Sequence, residues 1–174
     1  NPKVSDLPEK LSKDINGVKL LVMGTVDTGG TGCVCPEHVL LKAILSSLVF
    51  QKDDVVIMDM EAGLEHLGRG TASCMDQFIV VIEPGARSIQ TYERIKQLAR
   101  DIGITQVRVV ANKIRDESDR EFIRSRIPPE DLLGFVSYNP QVIDADRRGL
   151  SPYDCSPVAL EEIKAIKAKI DAHE

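Results

Sequence analysis

Phe78-Ile79-Val80-Val81-Ile82, a helical repeat running to Ile102, and then Val107-Arg108-Val109-Val110-Ala111-Asn112-Lys113-Ile114 form the stretch that decides the fold. The two flanking runs are rich in β-branched residues and show no clean alternation of apolar and polar positions. That is the pattern of strands buried on both faces of a parallel sheet. Between them Ile89, Tyr92, Ile95, Leu98, Ala99 and Ile102 recur at helical spacing, and Gly103 follows. The spacing predicts a helix over residues 88–102 with one apolar stripe and a glycine at its end. Strand, crossover helix and strand make a βαβ unit, and such units build parallel sheets.

The same pattern extends in both directions. Apolar runs at 18–23, 55–60 and 132–136 read as further strands. Helix-like segments cover 36–50, opened by Pro36, the charged stretch 116–126 and the terminal stretch 157–172. The fold expected is therefore α/β, a doubly wound, mostly parallel sheet with helices on both faces, in a single domain over residues 1–174. In such sheets a ligand sits beyond the carboxyl ends of the strands, where the strand order reverses. Residues 60–71, 83–88, 112–115 and 137–144 are the places to look.

Composition narrows the functions. A hydrophobic fraction of 43% over 174 residues is enough for a sizeable core. With 22 basic against 27 acidic residues the net charge is −5, and no stretch concentrates Lys or Arg, so nucleic acid is not an expected partner. The longest apolar stretches, 39–50 and 78–82, are too short to cross a bilayer. The last helix carries only the narrow stripe of Ile163, Ile166 and Ile170, suited to packing on a sheet rather than to a membrane. No signal peptide opens the chain, and its four cysteines lack the spacing of a disulfide scaffold, which fits a reducing cytoplasm.

Four motifs carry chemistry. In Gly32-Cys33-Val34-Cys35-Pro36 a glycine-rich turn delivers two thiols just before a helix. Thiolates bind soft or borderline metals, and a helix amino terminus favours the thiolate. One pair leaves a four-coordinate site half filled; two pairs brought together in a two-fold dimer would complete it, with His38 as another ligand in reach along the chain. The competing reading makes Cys33 and Cys35 small apolar residues of a tight loop. The stretch from Gly24 to Thr31 spaces its glycines like a phosphate loop, but Gly30 stands where the lysine belongs, and that reading is rejected. In Val55-Val56-Ile57-Met58-Asp59-Met60-Glu61-Ala62-Gly63 a carboxylate closes an apolar run, placed either to hold a nucleotide's magnesium or to cap the turn. Finally, Asn112-Lys113 ends a strand. An asparagine offers donor and acceptor to a purine edge, or simply finishes the strand; with Asp116 one place late for the guanine-specific signature, adenine is the better fit.

Taken in order, Gly32 to Pro36, the Asp59-Met60-Glu61-Ala62-Gly63 turn, Glu83-Pro84 with Ser88, and Asn112-Lys113 resemble the CooC family of carbon monoxide dehydrogenase accessory proteins, relatives of the MinD and ParA P-loop ATPases. The resemblance implies a nickel-inserting ATPase in which Cys33 and Cys35 of both subunits of a homodimer hold nickel or zinc. It further implies that Asp59 assists magnesium and hydrolysis, that Asn112 with Lys113 contacts the adenine of ATP or ADP, and that Tyr138, Asn139 and Pro140 complete the base pocket. Carbon monoxide dehydrogenase is the implied client. The family's first strand, its Walker A loop and its first switch have no counterpart in residues 1–174, so hydrolysis is not expected of this chain alone. A noncatalytic MinD-like interaction or dimerisation module is the rival expectation.

Overall fold

The computed structural model describes residues 12–22, 55–60 and 75–172, which fall in two compact units, Asn1–Cys74 and Met75–Glu174. In the first unit, β1 (Lys13–Ile15) and β2 (Val18–Leu20) pair antiparallel across an Asn16-Gly17 turn. Both turn residues have positive φ, +53° and +85°, as a two-residue hairpin requires, and the Gly17 N–H donates to Asp14 Oδ1 at 3.0 Å. This corrects the reading of 18–23 as a strand of the parallel sheet. An Asn-Gly pair between two short polar-apolar segments is a hairpin signal, and it outweighs the apolar run that follows it. Residues 55–60 also depart from expectation. They adopt neither helix nor strand, with Val55 and Ile57 80% and 87% exposed. A strand exists only through its ladder, and among the described residues nothing pairs with this run.

The second unit follows the predicted grammar. The elements run β3 (Gln77–Ile82), α1 (Ala86–Asp101), β4 (Gln106–Ile114), α2 (Glu117–Arg124), β5 (Leu132–Ser137), α3 (Pro140–Arg147), α4 (Pro152–Cys155) and α5 (Pro157–Asp171). The strands form a parallel sheet in the order β3-β4-β5. Because that order simply follows the chain, these three strands contain no reversal of the kind that marks a ligand crevice.

Register assigns the faces. Phe78, Val80 and Ile82 pair with Val107, Val109 and Ala111, and Ala111 pairs with Phe135, so these side chains share one face. All but Phe135 are buried there. The guanidiniums of Arg120 and Arg124 lie over the Phe135 ring at 4.9 and 5.3 Å, which places α2 on that side. The charged stretch 116–126 is therefore more than a solvated face, because two of its arginines cover an aromatic ring. On the opposite face Val110 pairs with Gly134, and Val110, Leu133 and Ile166 form a buried cluster with Val136 and Ile170 against it. The α5 helix therefore packs on the far side, and helices cover both faces as expected. Gly134 makes the close approach possible: a Cβ there would stand 2.8 Å from Ile166 Cγ1. Of the predicted α5 stripe, Ile166 is buried and Ile170 joins the cluster, whereas Ile163 stays 51% exposed. On β3 the far face is open as well, with Ile79 43% and Val81 62% exposed.

Candidate functional site

The carboxyl ends of β4 and β5 bring together most of the residues singled out from sequence. The ladder between these strands shifts from Ala111 opposite Phe135 to Ile114 opposite Ser137, so Asn112 and Lys113 together face Val136 alone. One extra residue in one strand is a β-bulge, a device that re-aims side chains. Lys113 takes φ of +57°, a left-handed conformation that a residue with a Cβ seldom adopts. Its N–H donates to Asn112 Oδ1 at 2.8 Å, and its Nζ reaches back over the sheet end to Glu83 Oε1 at 2.6 Å. Both partners of this ion pair are more than half exposed.

Beyond the bulge, the Tyr138 N–H donates to the Ile114 carbonyl at 2.8 Å, which sets the tyrosine beside the end of β4. The Tyr138 ring, on a residue 46% exposed, has the Arg115 guanidinium 5.8 Å from its centroid. Pro140 opens α3 at the first helical position, where a missing N–H does no harm. It also lines a groove of about 400 Å³ with Gln141, Asp144, Ala145, Arg148 and the free, half-buried Cys155.

Asn139, between these two, is committed elsewhere. Its Oδ1 accepts from the Gln141 N–H at 2.8 Å and its Nδ2 donates to Ser156 Oγ at 2.7 Å. Ser156 is fully buried and in turn accepts from the Ala159 N–H. The amino-terminal caps of α3 and α5 are thus hydrogen-bonded to each other, and Asn139 serves as a joint that leaves Tyr138 and Pro140 exposed. Next to it, Ser137 donates its N–H and its hydroxyl to the two oxygens of Glu162, at 3.0 and 2.6 Å, fastening the end of β5 to α5.

Of the other predicted site residues, Asp59 is exposed and belongs to the first unit. Cys33 and Cys35, with His38, lie outside the described residues. Among the described residues no group of three His, Cys, Asp or Glu side chains is placed to hold a metal ion, and no helix is long and apolar enough to cross a membrane. Sequence reasoning gave Glu83 no role of its own. Its signals were its place in the Glu83-Pro84 motif and its position immediately after an apolar run, at a strand's carboxyl end.

No model of a protein family matches the chain. Individual relatives do. The carbon monoxide dehydrogenase accessory protein CooC of Rhodospirillum rubrum is 45% identical over 170 residues, covering 98% of this chain and 65% of the relative. An uncharacterized ATP-binding protein of Methanocaldococcus jannaschii is 45% identical over 169 residues, covering 95% of this chain and 65% of the relative. The chain thus spans just under two thirds of the length of these relatives. Among solved structures, the MinD cell division protein of Aquifex aeolicus aligns with a TM-score of 0.48 at 20% identity, over 59% of this chain and 46% of that one. The MinC:MinD complex of the same organism aligns with a TM-score of 0.47 at 19% identity, over 64% and 48%. With nearly half of its residues identical along almost its whole length, the chain is similar to the carbon monoxide dehydrogenase accessory protein CooC over just under two thirds of that relative.

Proposed function

We propose that the protein is an accessory factor of carbon monoxide dehydrogenase that handles nickel under the control of ATP. The observation that carries this reading is the 45% identity to a protein named for that accessory role, extending over 98% of the chain. The two thiols of Gly32-Cys33-Val34-Cys35-Pro36 support the metal half of the proposal. Two such pairs, one from each subunit of a homodimer, supply four thiolates, a donor set that suits Ni²⁺ in a square plane and Zn²⁺ in a tetrahedron. Nickel is here the cargo, gripped by Cys33 and Cys35 and passed to the client enzyme.

The nucleotide half rests on the carboxyl edge of the sheet. Asn112 and Lys113 on the bulge, with Tyr138 and Pro140 on the neighbouring strand end, offer a hydrogen-bonding amide, a cation, an aromatic face and an apolar ring within one exposed region. These are the groups that an adenine and its ribose phosphates use. Asp59 is assigned the magnesium, as a carboxylate just after an apolar run. ATP or ADP with Mg²⁺ is the proposed nucleotide ligand, and residues 1–174 would form one domain. Metal and nucleotide are then linked ligands of one dimer.

Titrating reduced protein with Ni²⁺ and with Zn²⁺, while reading oligomeric state, tests the metal half. One ion per two chains, with both ion and dimer lost in Cys33→Ser/Cys35→Ser, is the expected result. Binding that survives the double substitution removes the cysteines from the site and leaves a noncatalytic MinD-like interaction module as the better description.

A further inference from the structure

We propose that Glu83 is a positioning residue: through Lys113 it holds the left-handed bend at the end of β4 and so aims the Asn112 amide beyond the carboxyl edge of the sheet. The inference rests on the reading that Asn112 meets a nucleotide base. It starts from three features that coincide at one place. Asn112 and Lys113 occupy the bulge opposite Val136, so neither is held by a regular ladder. Lys113 sits at φ +57°, a conformation that an L-residue with a side chain leaves unless its surroundings hold it there. Two contacts do so, the Lys113 N–H on Asn112 Oδ1 at 2.8 Å and Lys113 Nζ on Glu83 Oε1 at 2.6 Å.

These contacts act in series. The Lys113 N–H lies in the peptide plane that joins it to Asn112, and its bond to Asn112 Oδ1 fixes which way the amide is turned. The carbonyl oxygen faces the protein's own backbone, and Nδ2 is left as the group offered outward, a donor suited to a ring nitrogen of a purine. With Ala111 and Ile114 held by their pairing to β5, Lys113 can relax to an ordinary φ only by turning the peptide plane between Asn112 and Lys113, which swings the N–H away and frees the amide to flip. Glu83 is the group that opposes this relaxation, because it anchors the far end of the lysine from the neighbouring strand end. As a contribution to global stability the pair is minor, both partners being 55–56% exposed. Its effect is on orientation.

The test uses the full chain and two readouts, the hydrogen-exchange rate of the residue-113 amide by NMR without ligand, and affinity for Mg-ATP by titration. In the wild-type background Glu83→Ala is expected to speed exchange at Lys113 and weaken Mg-ATP, each by about threefold, the scale of an exposed ion pair. Glu83→Gln, which keeps an acceptor for Lys113 Nζ, falls between. In a Lys113→Gly background, where φ +57° is unstrained and the ion pair is gone, adding Glu83→Ala should change neither quantity. An equal loss of Mg-ATP affinity in both backgrounds would mean that Glu83 acts on the ligand directly and overturns the proposal, as would unchanged Lys113 exchange in Glu83→Ala. Should the wild type bind no Mg-ATP, the nucleotide reading falls, and the exchange measurements still decide whether Glu83 holds the bend.

Discussion

The two ends of the parallel sheet each carry a lysine paired with a carboxylate, and the two pairs are built to different ends. Where β5 begins, Asp131 Oδ2 accepts from the Tyr92 hydroxyl at 2.6 Å and from Lys96 Nζ, with side-chain exposures of only 13% for Asp131 and 26% for Lys96. The Asp131 backbone is used as well, its carbonyl accepting from the Val109 N–H at 2.7 Å. Every strong group there is spent on tying α1 to the sheet. Where β3 and β4 finish, Lys113 and Glu83 stand more than half exposed, and Lys113 is on left-handed backbone. Polar groups that stabilise a fold are desolvated and fully partnered, whereas polar groups kept for a ligand stay reachable and lean on weaker neighbours.

The comparison can be broken from either side. Asp131→Ala strips the partner from a buried tyrosine and an ammonium, and should lower unfolding free energy by about 2 kcal/mol in chemical denaturation while leaving Mg-ATP affinity unchanged. Asn139→Ala, which removes the α3 cap and one of the two donors to the buried Ser156 hydroxyl, should cost about 1–2 kcal/mol in the same assay. A drop in nucleotide affinity larger than the stability loss would instead place Asn139 in the base pocket.

Acid titration sharpens the contrast. Burial pushes the Asp131 carboxyl up, but hydrogen bonds from Lys96 and Tyr92 and the charges of Lys96 and Arg108 outweigh it, holding the carboxyl below its ordinary range. A group that ionises more readily folded than unfolded stabilises above its unfolded pKa of about 3.9, and that contribution is lost as pH falls through the folded value. Denaturation midpoints between pH 7 and pH 2.5 should therefore fall less steeply for Asp131→Asn than for wild type, by about 1 kcal/mol over the range. The Lys96 ammonium is raised by its hydrogen bond to Asp131 against the opposing effect of burial, so its contribution holds below about pH 10.4 and is lost only above the folded value.

At the other end the effects on stability are smaller and one has the opposite sign. Lys113→Gly relieves a left-handed residue and should raise stability by up to about 1 kcal/mol, even as the aim of Asn112 loosens. Glu83→Gln should move stability by less than about 0.5 kcal/mol. A large destabilisation from either would show that this edge is held for the fold after all.

How much of this could be read in advance depended on the kind of signal. The βαβαβ order of the second unit was legible because long apolar runs and a repeated helical stripe are local patterns, and helix ends marked by Gly103, Asp116 and Pro157 lie within about a residue of where caps and turns put them. The hairpin at Asn16-Gly17 was equally local and was passed over in favour of the apolar run behind it. Residues 140–147 gave no such stripe: α3 buries only Ala145 and exists because Asn139 caps it and Pro140 starts it.

By itself the sequence determined the parallel α/β character of the second unit and which residues stand at the carboxyl ends of its strands, because burial patterns and motif spacings are written along the chain. Only the tertiary structure decided that Asn112 and Lys113 sit on a bulge, that Lys113 is bent left-handed toward Glu83 thirty residues earlier, and that Asn139 is absorbed in joining two helix caps. Those facts depend on register between strands and on which side chain reaches which neighbour through space, and neither is encoded in the spacing of residues along one segment.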